Sequence, residues 1–259
     1  QAGRFERAAQ ETLPSRAADN LYWLGRYVER AEGDMRLLRA YHLRLSESVS
    51  ADNPLLGLIE DYLESRSLDP AQTIPEGFLR TLDYAIHAAG KIRDRFSVDG
   101  WMAINDLAKT ARRFKTTVMP GDDAARAMSV LLRKVSGFSG LVHENMYRFA
   151  GWRFLSIGRA LERAQFMTRC LSLLAGKDAP DGALDLAIEI GDSAITHRQR
   201  YSVTTTRATV VDLLALDGMN PRSVLFSASD IEEHTGHLPG ALELGKPSAL
   251  ARAVIDARS

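Results

Sequence analysis

The sequence contains a single cysteine, Cys170, among its 259 residues, and it has no long apolar run. One thiol excludes an intrachain disulfide framework and favours a reducing compartment, so we expect a cytoplasmic protein. No apolar stretch approaches the roughly 18 residues that a membrane-spanning helix needs. Residues 1–14 are charged and lack the apolar core of a signal peptide, and we interpret them as a linker from an upstream domain.

A net charge is also missing, because the 33 basic and 33 acidic side chains cancel. The chain therefore lacks the basic footprint that nucleic acid or anionic lipid would select, and we expect neither nucleic acid nor a membrane as a partner. It does have 45% apolar residues, which is enough for a sizeable core.

The apolar residues follow a helical period through most of the chain. From Leu21 to Leu45 they recur at alternating three- and four-residue steps, which predicts one long amphipathic helix over about residues 16–48. Further helices are predicted at about 53–66, 76–89, 101–116, 123–148, 150–174, 182–197, 206–217, 222–236 and 247–257. Residues 201–211 are rich in β-branched side chains, but we interpret them as the start of a helix because no partner strand is evident. The predicted fold class is all-α, a multi-helix bundle over residues 15–259.

An eight-residue motif occurs twice in the chain. Residues 24–31 (LGRYVERA) match residues 157–164 (IGRALERA) at a separation of 133 positions. The apolar stripes that flank the two copies match at the same separation, so the helical register is kept. We therefore predict an internal pseudo-two-fold duplication, with halves of about residues 15–120 and 121–259.

Each copy of the motif carries one glycine, two arginines and one glutamate. These residues are Gly25, Arg26, Glu29 and Arg30 in the first copy, and Gly158, Arg159, Glu162 and Arg163 in the second. A glycine in mid-helix costs about 1 kcal/mol relative to alanine, so we expect a close approach to the backbone at both positions.

Two interpretations of the motif charges stay open. If the two motif helices meet, the glutamates are buried and paired with these arginines, because an unpaired buried carboxylate costs several kcal/mol. Alternatively, the cluster binds a carboxylate or phosphate group of a substrate or partner. Trp23, which follows Tyr22, argues against a plain solvated surface, since two large aromatic side chains are rarely left in water together.

The sequence carries no recognisable signature of catalysis. Neither motif glutamate is followed three positions later by the histidine that a di-iron bundle requires. Cys170 lies in an apolar stretch and is predicted to be a core thiol. No Gly-x-Ser-x-Gly elbow, Walker loop or Gly-rich dinucleotide turn occurs. We assign no catalytic residue and expect no metal or cofactor in this chain.

The C-terminal half offers weaker candidates for a binding site. Asn220 begins the stretch Asn-Pro-Arg-Ser, which predicts a turn that places Ser223 near the start of a helix. The free backbone N–H groups of that helix start, beside Arg222, would suit an anion. Arg207 is a further candidate, because it places a charge within otherwise apolar sequence.

Several of these segments together resemble the alpha-E domains, a family named for an α-helical domain with a Glu-Arg motif. Residues 13–32 (LPSRAADNLYWLGRYVERAE) look like the family's opening, and residues 151–164 (GWRFLSIGRALERA) are similar to its second motif. Residues 203–214 (VTTTRATVVDLL) and 220–223 (NPRS) resemble its C-terminal signatures. The segment of about 50–120 matches the family pattern least.

The resemblance implies a context rather than a chemistry. Alpha-E domains occur in bacteria beside, or fused behind, circularly permuted ATP-grasp ligases, often with a transglutaminase-like protease encoded nearby. Such systems are inferred to make or modify peptides. ATP and Mg²⁺ are implied only for the partner ligase, and no catalytic residue is carried over to this chain.

Three hypotheses of function follow from the sequence. The first is an accessory module that docks on the ligase and binds its substrate, with Trp23 and the two Arg-Glu-Arg clusters as the contact residues. The second is an enzyme that uses Glu29 or Glu162 as a general base. The third is a scaffold without a binding function.

Overall fold

The computed structural model describes residues 13–47, 53–201, 204–243 and 246–258. Eleven α-helices are found in these residues: α1 (Ser15–Glu47), α2 (Pro54–Ser65), α3 (Glu76–Lys91), α4 (Val98–Thr117), α5 (Asp122–Asn145), α6 (Ala150–Leu174), α7 (Ala183–Ile190), α8 (Ala194–Arg200), α9 (Arg207–Val211), α10 (Val224–Gly236) and α11 (Ala249–Arg258). A 3₁₀ turn spans Arg93–Arg95 and a π-helical turn spans Asp212–Leu216. The prediction of an all-α fold is confirmed. Most of the predicted linker, residues 1–12, lies outside the described residues.

The only described strands are two residue pairs near the C-terminus. β1 (Leu242–Glu243) and β2 (Lys246–Pro247) form a short antiparallel ribbon just before α11. Of the described helices, none is both long and apolar enough to cross a lipid bilayer.

Helix α1 lies at the centre of the bundle and packs against α2, α3, α5, α6 and α7. Its apolar stripe, which includes Leu21, Leu24 and Val28, is fully or almost fully buried in the main core. The burial extends to the charged residues of its middle third, among them Glu29 and Glu32. A helix that is surrounded in this way must pair its charged side chains within the protein, so these buried carboxylates need partners on α1 itself or on the helices packed against it.

The prediction of one helix over residues 182–197 is wrong, because the chain breaks there into α7 and α8. Asp192 adopts a left-handed conformation with a φ of 51°. Its backbone N–H donates to the carbonyl of Glu189 and that of Ser193 donates to the carbonyl of Ile188. This is the Schellman end of a helix, normally formed by glycine. Here the glycine, Gly191, lies one position too early to signal it.

The helical interpretation of the β-branched segment is confirmed from Arg207 onward, whereas Tyr201 and residues 204–206 are not helical. α9 begins at Arg207, and Thr206 and Thr209 form a reciprocal capping box, each side-chain oxygen accepting from the other residue's backbone N–H. The threonines thus serve as a helix start rather than a strand. Residues 202–203 lie outside the described part of the chain.

Candidate functional site

The two motif helices, α1 and α6, cross in direct backbone contact. A Cβ atom built on Gly25 would lie 2.2 Å from the carbonyl oxygen of Leu155, and one built on Gly158 would lie 2.1 Å from the carbonyl oxygen of Tyr22. No side chain larger than hydrogen fits at either position. The close approach that the mid-helix glycines predict is therefore present, and it brings the two motifs together.

Glu162 of α6 is bound by two arginines of α1. Arg26 donates from Nε to Oε2 at 2.5 Å. Arg30 donates from Nε to Oε1 at 2.8 Å and from Nη2 to Oε2 at 3.0 Å. The glutamate is only 5% exposed, and burial acts to raise its pKa. The hydrogen bonds and charges of Arg30 and Arg26 outweigh burial and lower the pKa of Glu162 below its usual value.

Glu29 of α1 is bound in turn by two arginines of α6. Arg163 donates from Nε to Oε1 at 2.6 Å and from Nη2 to Oε2 at 2.7 Å. Arg159 donates to Oε2 from Nε and from Nη2, both at 3.4 Å, which is a much looser contact. The predicted burial and arginine pairing of Glu29 and Glu162 is confirmed, and the contacts are reciprocal between the two copies of the motif.

A second layer of charge, which sequence reasoning missed, lies one turn further along α1. Glu32 is 2% exposed and accepts hydrogen bonds from Arg36 and from Arg222. Burial acts to raise its pKa, but the charges of Arg222 and Arg36 hold the pKa of Glu32 far below its usual range. Glu32 and Arg36 stand four positions apart, an ion-pair spacing that is visible in the sequence. The sequence did not indicate that both side chains are buried.

Asp34 and Arg66 form another buried pair that the sequence did not indicate. Arg66 Nη2 lies 2.6 Å from Asp34 Oδ1, and Asp34 is only 2% exposed. The guanidinium also covers the ring of Phe166, with 5.1 Å between its Cζ and the ring centroid. Burial acts to lower the pKa of Arg66, but the Asp34 carboxylate outweighs it and raises that pKa.

Arginines outnumber carboxylates in this region, which we call the Arg–Glu cluster. Its seven arginines and five carboxylates are Arg26, Arg30, Arg36, Arg66, Arg159, Arg163 and Arg222, with Glu29, Glu32, Asp34, Glu162 and Asp192. Both motif glutamates have their two oxygens occupied by guanidinium groups. The cluster therefore carries a positive excess and no unengaged motif carboxylate.

A cavity of about 240 Å³ opens beside the cluster, between α5, α6 and α10. Arg159 and Arg163 form part of its wall, so the positive excess reaches a space that can hold a small molecule. Arg159 is the more available of the two, because its contacts with Glu29 are long and its side chain is 23% exposed.

Arg222 and Asn220 contribute to the cluster in different ways. Asn220 is buried and donates to Ser193 Oγ and to the carbonyl of Leu213, while its own oxygen accepts from the backbone N–H of Arg222. This fixes the turn from which Arg222 reaches Glu32. At the adjacent start of α10, Ser223 Oγ accepts from the backbone N–H of Phe226, so this helix start is capped by its own chain.

Trp23 and Arg207 lie outside the ion pairs of the cluster. Trp23 is 37% exposed, stacks on Tyr27 and lies under the guanidinium of Arg26. Arg207 donates to the carbonyl of Gly176 at 2.6 Å. Gly176 stands 13 positions beyond Arg163, about 20 Å along the helix direction at the rise of an α-helix, so Arg207 ties α9 to the far end of α6.

Within the described ranges, no three His, Cys, Asp or Glu side chains come together as a metal ion would require. Cys170 is fully buried and its Sγ lies 3.9 Å from the hydroxyl of Tyr62. Burial raises the pKa of this thiol to about 12.

Comparison with known proteins gives one family and a small set of relatives. The Alpha-E model, described as a predicted alpha-helical domain with a conserved ER motif, matches residues 13–259. Uncharacterized proteins of Mycobacterium bovis and Mycobacterium tuberculosis are 26% identical over 279 aligned positions, which cover 91% of this chain and 31% of each relative. The chain thus spans only about a third of the length of these relatives. No solved structure matches it significantly. Because the family model covers the chain from Leu13 onward, the chain belongs to the alpha-E family.

Proposed function

We propose that this chain is an accessory binding domain of an ATP-grasp peptide ligase system, acting in the cytoplasm. In this proposal the ligase supplies the ATP and Mg²⁺ sites and performs the chemistry. The alpha-E domain docks on the ligase and binds a small substrate group, either the acyl or amine component or the end of the peptide. In this proposal a transglutaminase-like protease is a further member of the system.

The observation that carries the proposal is the state of the two motif glutamates. Both oxygens of Glu29 and of Glu162 accept hydrogen bonds from arginines, and the pKa of Glu162 is lowered by Arg30 and Arg26 despite its burial. A general base needs a pKa near the working pH and an oxygen within reach of the substrate, whereas Glu162 has a lowered pKa and both of its oxygens bind arginines. This supports a structural role for the glutamates and weakens the hypothesis of an enzyme.

The positive excess supports binding over a scaffold alone. Arg159 binds Glu29 loosely at 3.4 Å and forms part of the wall of a cavity. A guanidinium that is not fully used by its own chain is suited to a planar carboxylate, since it offers five N–H donors in a fixed fork. In this proposal the buried glutamates hold α1 and α6 together, and Arg159, which its own chain binds only loosely, binds the ligand.

We also infer that the domain arose by duplication of one helical unit. The reciprocal glycine contacts and the reciprocal glutamate–arginine pairs support this inference, because they involve the equivalent residues of two motif copies that stand 133 positions apart. The equivalence of the whole halves, residues 15–120 and 121–259, stays a prediction.

The test is reconstitution with the ATP-grasp ligase that is encoded beside this domain or fused to it. Product formation is measured with the ligase alone, with this chain alone and with both together. We expect ATP-dependent product only when both are present. Turnover by this chain alone would restore the enzyme hypothesis, and full activity of the ligase alone would remove the accessory role.

A further inference from the structure

The cavity between α5, α6 and α10 has walls of opposite charge. On the α6 side lie Arg159 and Arg163, and on the α10 side lie Asp230 and Glu233. Its volume of about 240 Å³ corresponds to about eight water molecules, which is smaller than the pockets that hold drug-sized ligands. Size alone therefore selects a small ligand.

The cationic wall has hydrogen-bonding capacity to spare. Arg159 uses Nε and Nη2 for its long contacts with Glu29, while its Nη1 donates to no acceptor within the described part of the chain. On the α5 side, Ser139 lines the same cavity, and its Oγ is buried without a hydrogen-bond partner among the described residues. A buried hydroxyl without a partner is costly, and a ligand acceptor here would satisfy it.

A histidine lies beside the anionic wall. Arg153 donates to Nδ1 of His234, so the imidazole carries its proton on Nε2. That nitrogen lies 3.3 Å from Oδ1 of Asp230. The Asp230 side chain is 36% exposed and accepts no hydrogen bond from the described residues, so its carboxylate is available to a ligand in the cavity.

Both charged walls also carry apolar side chains. Trp152 and Leu155 line the cavity from α6 and Phe226 lines it from α10, and the ring of Trp152 packs edge-on against His234 with 4.7 Å between the centroids. These side chains can cover an aliphatic or aromatic group of the ligand.

We propose that this cavity binds the zwitterion of a small apolar amino acid. Its carboxylate pairs with Arg159 and accepts from Ser139. Its ammonium group donates to Asp230, and its side chain lies against Trp152 and Phe226. The inference rests on the proposed function and names the substrate class that the domain would present to the ligase.

The charge balance favours a zwitterion over a phosphate group. A phosphate dianion would gain from Arg159 and Arg163, but Asp230 and Glu233 on the opposite wall would repel it. A zwitterion pairs with both walls at once and leaves neither charge unmatched.

The test is isothermal titration calorimetry on the 259-residue chain with alanine, valine, leucine and phenylalanine. We expect at least one of them to bind, and the N-acetylated and the carboxamide form of that amino acid to bind at least ten-fold more weakly. Each blocked form removes one of the two charges, so the pair separates the contributions of the two walls. Inorganic phosphate is titrated alongside and is expected to bind more weakly than the amino acid.

Two variants assign the binding to the proposed residues. Arg159→Gln and Asp230→Asn each lower the affinity at least ten-fold, whereas Arg112→Gln and Asp83→Asn leave it unchanged. The last two substitutions remove an exposed ion pair between α4 and α3 and make the same chemical changes. Thermal unfolding of all four variants shows that they remain folded.

The proposal is overturned if none of the four amino acids binds, if the blocked forms bind as tightly as the free one, or if phosphate binds more tightly. Failure of the proposed function is seen separately, because calorimetry needs no ligase. If the chain binds leucine but is not needed for product formation, the proposed binding site stands and the accessory role is excluded.

Discussion

Arg163 binds both carboxylate oxygens of Glu29, with 2.6 Å from Nε to Oε1 and 2.7 Å from Nη2 to Oε2. Arg30 binds both oxygens of Glu162 in the same manner, at 2.8 and 3.0 Å. The glutamate and the arginine that follow each other in one motif therefore do not pair with each other. Each side chain pairs instead with the opposite charge on the other helix. One Glu-Arg dipeptide on each helix therefore forms two reciprocal ion pairs between α1 and α6.

These reciprocal ion pairs predict a large loss of stability when one partner is removed. Glu29→Ala leaves Arg163 buried without its counter-charge and should lower the free energy of unfolding by about 3–5 kcal/mol. Glu29→Gln keeps a hydrogen-bonding side chain and should cost about 1–3 kcal/mol. Denaturant unfolding measures both. The control is Glu144→Gln at the exposed end of α5, which should change the value by less than about 0.5 kcal/mol. If Glu29→Gln and Glu144→Gln change the free energy of unfolding equally, the reciprocal ion pairs do not stabilise the fold.

The helix crossing predicts opposite outcomes for two glycine substitutions. Gly25→Ala forces α1 and α6 apart, because the new Cβ meets the backbone of Leu155, and it should cost about 3 kcal/mol. Gly137→Ala in α5 adds a Cβ with nothing within 4 Å and should stabilise the chain by about 0.5–1 kcal/mol. Thermal and denaturant unfolding measure the difference. If both substitutions stabilise the chain, the direct backbone contact is not present in solution.

The pKa of Glu162 predicts a specific dependence of stability on pH. Because that pKa is lower in the folded chain than its ordinary value of 4.5, the ionised glutamate contributes its full stability above about pH 4.5. The contribution is lost as the pH falls through the folded pKa. The difference in unfolding free energy between the wild type and Glu162→Gln should therefore be largest near neutral pH and shrink below 4.5. A difference that stays constant down to pH 2 would mean that the carboxylate gains nothing from Arg26 and Arg30.

The burial of Cys170 predicts an unreactive thiol. With its pKa raised to about 12, almost none of it is thiolate at pH 8, and the side chain is fully buried. Iodoacetamide should leave the native chain unmodified and should alkylate one site after unfolding in guanidinium chloride. Mass spectrometry gives the count, and rapid modification of the native chain would show that the core at Cys170 opens.

The sequence predicted the positions of the longest helices and a close approach at the two mid-helix glycines, and it offered the meeting of the two motifs as one of two interpretations. The reason is physical: a mid-helix glycine beside a glutamate and two arginines makes sense chiefly where two helices touch and charges are buried. The break at Asp192 was not predictable, because a left-handed aspartate has no strong sequence signal. The approach of Arg222 to Glu32 and the pairing of Asp34 with Arg66 depend on tertiary packing, as does the cavity formed where α10 packs on α6. Periodicity gives the faces of helices but not which faces meet.

The central proposal is that this domain binds a ligand for a partner ligase rather than serving as a scaffold. The most direct measurement is product formation by the reconstituted ligase with Arg159→Gln in place of the wild-type chain, with Arg112→Gln as the matched control. Among the described residues the Arg159 side chain makes only long hydrogen bonds, so its substitution should cost about 1 kcal/mol of stability or less. We predict that Arg159→Gln folds, raises the KM for the bound substrate and lowers product formation at least ten-fold, while Arg112→Gln does neither. Full product formation with folded Arg159→Gln would contradict the claim and leave the domain a scaffold.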